Sequence, residues 1–171
     1  MPFDPAEILL TIAKNIANLF PARVVQKNEQ GVRWTLGKPS KNLYAGKIHY
    51  FWPAIGHIDK VDITDGTIDI DMLTVDVEDK TISLDGAIRY AVTNARRYLL
   101  NLEENDAAPT LSLIARGCVS DIVREYGGLE EKLYGDIVKK FNYETRQYGV
   151  KGKQFIPGNV TTNPINIRLL Q

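Results

Sequence analysis

The chain is predicted to be an α+β protein, and three shifts in hydrophobic spacing predict it. Apolar residues recur at helical spacing near the N-terminus, then alternate with polar ones from Arg23 to Val92. After Thr93 the period returns to that of a helix, and near the C-terminus it alternates again. The order is an N-terminal amphipathic helix, an antiparallel-rich β-block, helices and a final strand, the pattern of an α+β domain rather than of alternating βαβ units. Two parts are expected: residues 1–21 as the helix and 22–171 as the domain body.

Each element has a local reason. Asp4-Pro5 supplies an N-cap and a proline at the first helical position. Ile8, Leu9, Ile12, Ile16, Leu19 and Phe20 follow at helical spacing, with Glu7, Thr11, Lys14, Asn15 and Asn18 elsewhere on the wheel, and Pro21 stops the run. Val24, Val25, Val32, Trp34 and Leu36 predict a first hairpin turning at Asn28 to Gly31, and Lys38 to Asn42 reads as a loop. Ile48 to Trp52 is an aromatic strand ended by Pro53, which cannot donate to a ladder. Strands are expected at Ile58 to Ile63 and Thr67 to Leu73, around Thr64-Asp65-Gly66. Another is expected at Thr81 to Val92, where Gly86 falls in the apolar register and suggests a bulge or a close backbone approach. Asn94 caps a short helix through Leu102, Glu103 to Ala108 is a break, and Pro109 opens a helix with the stripe Leu111, Ile114, Ala115, Cys118, Val119, Ile122 and Val123. Gly127-Gly128 ends it. A third helix follows from Leu129, with Leu133, Ile137, Val138 and Phe141 inward and Gly149 as its cap. Ile165, Ile167 and Leu169 suggest the last strand.

Composition excludes several classes. The chain has 171 residues, 44% hydrophobic and 25% charged, which fits a globular domain rather than a disordered chain. Lys plus Arg and Asp plus Glu are both 21, so the basic excess that nucleic-acid binding requires is missing. The single cysteine, Cys118, makes neither an internal disulfide nor a cysteine-rich metal site, and favours a reducing compartment. Met1-Pro2-Phe3-Asp4 lacks the basic start of a signal peptide, and the run from Ile8 to Phe20 is shorter than the roughly 20 apolar residues that cross a bilayer.

Glu29 to Lys38, containing Gly31-Val32 and Gly37-Lys38, followed by Ala45-Gly46 and the Trp52-Pro53 corner, resembles the opening of the stomatin–prohibitin–flotillin (SPFH, band 7) domain. Val61-Asp62 stands in the strand where that family often has it. Asp85 to Val92 is similar to its long strand ending Tyr-x-Val, Tyr98 to Leu102 to the helix after it, and Tyr148-Gly149-Val150 to the step into its last strand. Ala45-Gly46 replaces the usual Pro-Gly, and Glu78-Asp79 the usual Asp-Gly. The resemblance runs from about Val24 to Leu170. It implies a membrane-associated, self-assembling scaffold with no chemistry of its own, and a corner of the domain turned toward the bilayer.

The residues themselves offer little to catalysis. His49 and His57 belong to no metal-ligand motif, and their placement with Asp59 is not fixed by spacing. Asp69 and Asp71 share a strand face and could serve acid–base or Ca²⁺ chemistry, but they read as a solvated face opposite Ile68, Ile70 and Met72. Cys118 lies on an apolar stripe, and the nucleophile elbow and phosphate-binding glycine loops are missing. No cofactor and no metal are expected. The expected membrane-contact residues are Ile8, Leu9, Ile12, Ile16, Leu19, Phe20, Phe51 and Trp52, since interfacial aromatics favour a place with one apolar and one wet edge. The expected role is a non-enzymatic scaffold, peripheral on the reducing, cytoplasmic side of a membrane. It would self-associate and act on a membrane-protein client. The alternative is a soluble interaction or oligomerisation module with no membrane contact.

Overall fold

The computed structural model describes residues 21–78, 80–102 and 106–164. The expected N-terminal helix and the expected strand at Ile165, Ile167 and Leu169 lie outside the described residues. The α+β class holds, with antiparallel sheets, three α-helices and a long final strand among those residues. The chain divides into two compact units, one ending at Asp62 and one beginning at Ile63.

The first unit holds β1 (Ala22–Val25), β2 (Glu29–Thr35), β3 (Lys38–Leu43), β4 (Lys47–Tyr50) and β5 (Gly56–Asp62). They form a two-stranded ribbon, β1-β4, and a three-stranded sheet in the order β3-β2-β5. Two expectations are corrected here. β1 does not pair with β2 in a hairpin; it pairs with β4, Val24 opposite Ile48. The Lys38 to Asn42 stretch is strand β3 rather than a loop, paired with β2 across a tight turn at Leu36 and Gly37, both with positive φ. That geometry matches the right-handed twist of a two-residue hairpin, and Pro39 is tolerated because β3 is an edge strand. Gly31 is required where the ribbon meets the sheet: an added Cβ would stand 2.8 Å from Val25 Cγ2. Val25, Leu43 and Ile58 make the small core here, with Phe51 half-buried against it.

The second unit is a three-stranded sheet of β6 (Gly66–Val77), β7 (Lys80–Val92) and β8 (Val150–Pro164), in the order β6-β7-β8, with α1 (Ala95–Asn101), α2 (Ala107–Tyr126) and α3 (Tyr134–Thr145). Ile68, Ile70, Leu73, Val75 and Val77 of β6 and Ile82, Leu84 and Ile88 of β7 join Leu111, Ala115, Cys118, Val119, Ile122 and Val123 of α2 in one core. The helical stripe read from sequence is thus the buried one, with Ile114 at its margin. Asn94 caps α1 by accepting from Arg97 N, and Gly127 ends α2 in the left-handed conformation. A 3₁₀ turn at Glu131–Leu133 precedes α3, which starts at Tyr134 rather than near Leu129.

A line of bulges crosses this sheet at Asp85. On one side Ile70 pairs with Gly86 and Leu73 with Leu84, so Asp71 and Met72 together oppose Asp85. On the other side Leu84 pairs with Val160 and Gly86 with Pro157, so Gly158 and Asn159 also oppose it. The expected inward Met72 is therefore corrected. The extra residue flips the alternation, Leu73 takes the core position, and Met72 stands 83% exposed at φ 44°. The bulge anticipated at Gly86 is present in the β7–β8 ladder.

Candidate functional site

The notable feature of the first unit is an apolar rim at one end of its sheet. Leu36 sits in the β2–β3 turn with φ 51° and is 76% exposed. A bulky side chain in that conformation is uncommon, since left-handed backbone costs an L-residue roughly 1–2 kcal/mol. Leu36 N donates to Ile55 O at 2.7 Å, and Ile55 N donates to Trp52 O at 3.1 Å, so the turn and the loop after β4 are tied together. Trp52, also 76% exposed, and Ile55 complete the rim. On the adjoining ribbon, Val24, Ile48 and Tyr50 share one exposed face.

Beneath the rim lies a hollow of about 270 Å³, lined mainly by Pro21, Arg33, Trp34, Tyr50, Trp52 and Ile55. Phe51 N donates to Pro21 O at 2.8 Å, which ties the start of β1 to this corner. Arg33 reaches across with Nη2 to the Tyr50 carbonyl. Trp34 stacks on His57, with ring centroids 5.8 Å apart.

Of the expected contact residues, Ile8, Leu9, Ile12, Ile16, Leu19 and Phe20 lie outside the described residues. Trp52 is exposed at the rim, whereas Phe51 is half-buried on the core and seats the corner. Sequence reasoning passed over Leu36 and Ile55. The usable signal for Leu36 was the Leu-Gly pair between two β-type runs, a two-residue turn that puts its first member on the surface.

The other candidates stay apart. His57 Nε2 lies 3.4 Å from Asp59 Oδ2, while His49 Nε2 is engaged with the Tyr44 carbonyl at 2.9 Å. Among the described residues no group of three His, Cys, Asp or Glu side chains is close enough to hold a metal ion. Asp69 and Asp71 are on the solvent face of β6. Cys118 is buried, and burial with nearby Glu144 pushes its thiol up to about 11, so the reactive thiolate is scarce at neutral pH. Asp65 is held below the usual carboxylate range by the Lys153 ammonium and, more weakly, by Arg89. The Gln26 amide and Lys60 do the same for Glu29.

Such a layout defines a class: an α+β protein that presents an apolar corner to its surroundings. Residues 23–168 match the SPFH domain / Band 7 family, and the chain belongs to that family. Its members are in general membrane-associated scaffolds, commonly oligomeric and peripheral to the bilayer. No curated protein sequence matches the chain. Among the described residues no helix is long and apolar enough to cross a membrane.

Proposed function

We propose that this protein is a non-enzymatic scaffold that lies on a membrane face, self-associates laterally and organises or regulates membrane proteins beside it. The observation that carries the reading is the exposed Leu36–Trp52–Ile55 rim, continuous with the point where the apolar N-terminal segment joins at Pro21. A turn that holds a leucine outward at positive φ gives up stability in the isolated molecule, which makes sense if the side chain has an apolar medium to enter. Trp52 and Tyr50 are side chains that favour the headgroup level. Phe51 belongs to the contact as the ring that fixes the corner. Ile8, Leu9, Ile12, Ile16, Leu19 and Phe20 supply further apolar area at about 25 cal/mol per Å² buried, enough for several kcal/mol, so one copy binds reversibly and clustering adds avidity. The lone buried thiol suits a reducing, cytoplasmic face.

Co-sedimentation with vesicles tests this. The full chain pellets with lipid; Trp52→Ser plus Ile55→Ser lowers the bound fraction about tenfold while changing the melting temperature little, because Trp52 is mostly and Ile55 about half exposed. Removing residues 1–20 lowers it further. Equal pelleting of all three counts against the rim and the leading segment as the lipid contacts; pelleting of none favours a soluble interaction module. Mass measured in solution and on lipid reads the self-association.

A further inference from the structure

Where α1, the end of α3 and the start of β8 meet, three cations stand without a carboxylate. Arg97 of α1, Arg146 of the 3₁₀ turn Arg146–Tyr148 and Lys151 of β8 line one hollow of about 450 Å³. All three are exposed, and none is in an ion pair among the described residues. Arg97 Nη1 donates at 3.4 Å to the Arg146 carbonyl, a neutral group. Elsewhere in the second unit Arg89, Lys132, Lys139, Lys140 and Lys153 each sit against an Asp or Glu. Three like charges around one hollow repel one another, and an anion from outside relieves that repulsion. A second hollow, of about 530 Å³, shares Arg97 and Arg146 and is walled further by Tyr143, Glu144 and Gln147. The two arginines are thus the middle of a groove longer than a single ion. Backbone amides beside the first hollow are already used: Thr93 N and Asn94 N on the Gly149 carbonyl, Gly149 N on Arg146 O, Gly152 N on Asn142 Oδ1. They offer no cradle to a compact phosphate, whereas guanidinium forks suit carboxylates spread along a chain.

We propose that this groove docks an acidic segment of a protein partner. A carboxylate enters among Arg97, Arg146 and Lys151, and the neighbouring residue, toward Glu144, is uncharged and lies over the exposed ring of Tyr143. Glu144 sets that polarity, because a second carboxylate beside it is repelled. The inference rests on the reading that the protein organises other proteins, and adds the chemistry by which one is held.

The test uses the full chain and a fluorescent peptide of alternating Ser and Glu, with the same peptide carrying Gln for Glu as its control; anisotropy reads binding. The wild type binds the Glu peptide and leaves the Gln peptide free. Arg146→Gln and Lys151→Gln each weaken binding about threefold, and both together about tenfold. Both side chains are exposed and neither forms a hydrogen bond among the described residues, so the melting temperature holds. Arg124→Gln, an equal change of charge at a residue that lines neither hollow, leaves binding unchanged. A wild type that binds neither peptide, or both alike, overturns the proposal, and so does an equal loss in Arg124→Gln. Inorganic phosphate that clears the peptide at micromolar concentration and fixed ionic strength makes the hollow a phosphate site, against it. A solution mass that falls in the double variant while no peptide binds gives the groove to a second copy, also against it. Vesicle pelleting separates this inference from the membrane reading: pelleting without peptide binding sinks the groove alone, and peptide binding without pelleting sinks the membrane contact alone.

Discussion

Gly127 ends α2 and Gly149 ends the 3₁₀ turn Arg146–Tyr148 that follows α3, both at φ 69°, yet they carry different demands. Nothing lies within 4 Å of a Cβ added at Gly127, so only backbone conformation opposes a side chain there. At Gly149 the added atom would meet Asn94 O at 2.5 Å and Arg97 Cβ at 3.0 Å. The contact is tight because the Gly149 carbonyl accepts from Thr93 N at 2.8 Å, from Asn94 N at 3.0 Å and from Thr93 Oγ1 at 3.0 Å, which clamps the start of β8 to the start of α1. Gly127→Ala is therefore expected to cost about 1 kcal/mol, the left-handed penalty alone. Gly149→Ala is expected to cost about 3 kcal/mol or more, because overpacking against fixed backbone is added to it. Urea unfolding of the two variants separates the contributions; equal losses would mean that the clamp yields.

At the scale of elements, Asp85 holds the bulge that turns Met72 outward: its Oδ1 accepts from Met72 N at 3.0 Å, the amide that the irregular ladder leaves over. Asp85→Ala should lower stability by about 1 kcal/mol, as expected for an exposed, charge-assisted bond, whereas Met72→Gly relieves the positive φ and should raise it by up to about 1 kcal/mol. Chemical denaturation checks both; a destabilised Met72→Gly would show that the methionine packs on something. This bulge marks the boundary of what the sequence discloses. Strong periodicity placed β7, the buried stripe of α2 and the cap at Asn94, because burial and capping leave local marks. Alternation through Ile68, Ile70 and Met72 was broken by an inserted residue whose stabiliser, Asp85, lies on another strand. The β1–β4 pairing was hidden for the same reason: β1 and β2 are adjacent in sequence, and only the three-dimensional register reveals that Val24 faces Ile48. Of the candidate contact site, Trp52 was readable as an aromatic beside a proline. Leu36 and Ile55 were not, since their exposure depends on a turn and on a hydrogen bond between distant loops.

Across the whole chain, a formal charge of zero conceals a division. Residues 1–62 carry eight Lys and Arg against five Asp and Glu, and residues 63–171 carry thirteen against sixteen. The excess is small, but in the first part it accompanies the apolar rim and the guanidinium of Arg33, whose Nη2 donates to a neutral carbonyl. In the second part, Asp69, Asp71 and Asp76 line the solvent face of β6. A molecule so divided gains nothing from net charge in meeting an anionic surface, yet its positive part does, at about 1 kcal/mol for each cation that comes near the lipid plane. Rim burial does not depend on salt, whereas charge attraction weakens as the screening length falls from about 10 Å at 0.1 M to about 3 Å at 1 M. Binding to anionic vesicles should accordingly fall several-fold over that range and level off at the value for phosphatidylcholine, which should itself change little. Vesicle pelleting across a salt series measures this. A plateau at zero would mean that charge alone holds the protein to lipid and that the Leu36–Trp52–Ile55 rim contributes nothing. A flat line on anionic lipid would mean that the cations of the first part never approach it.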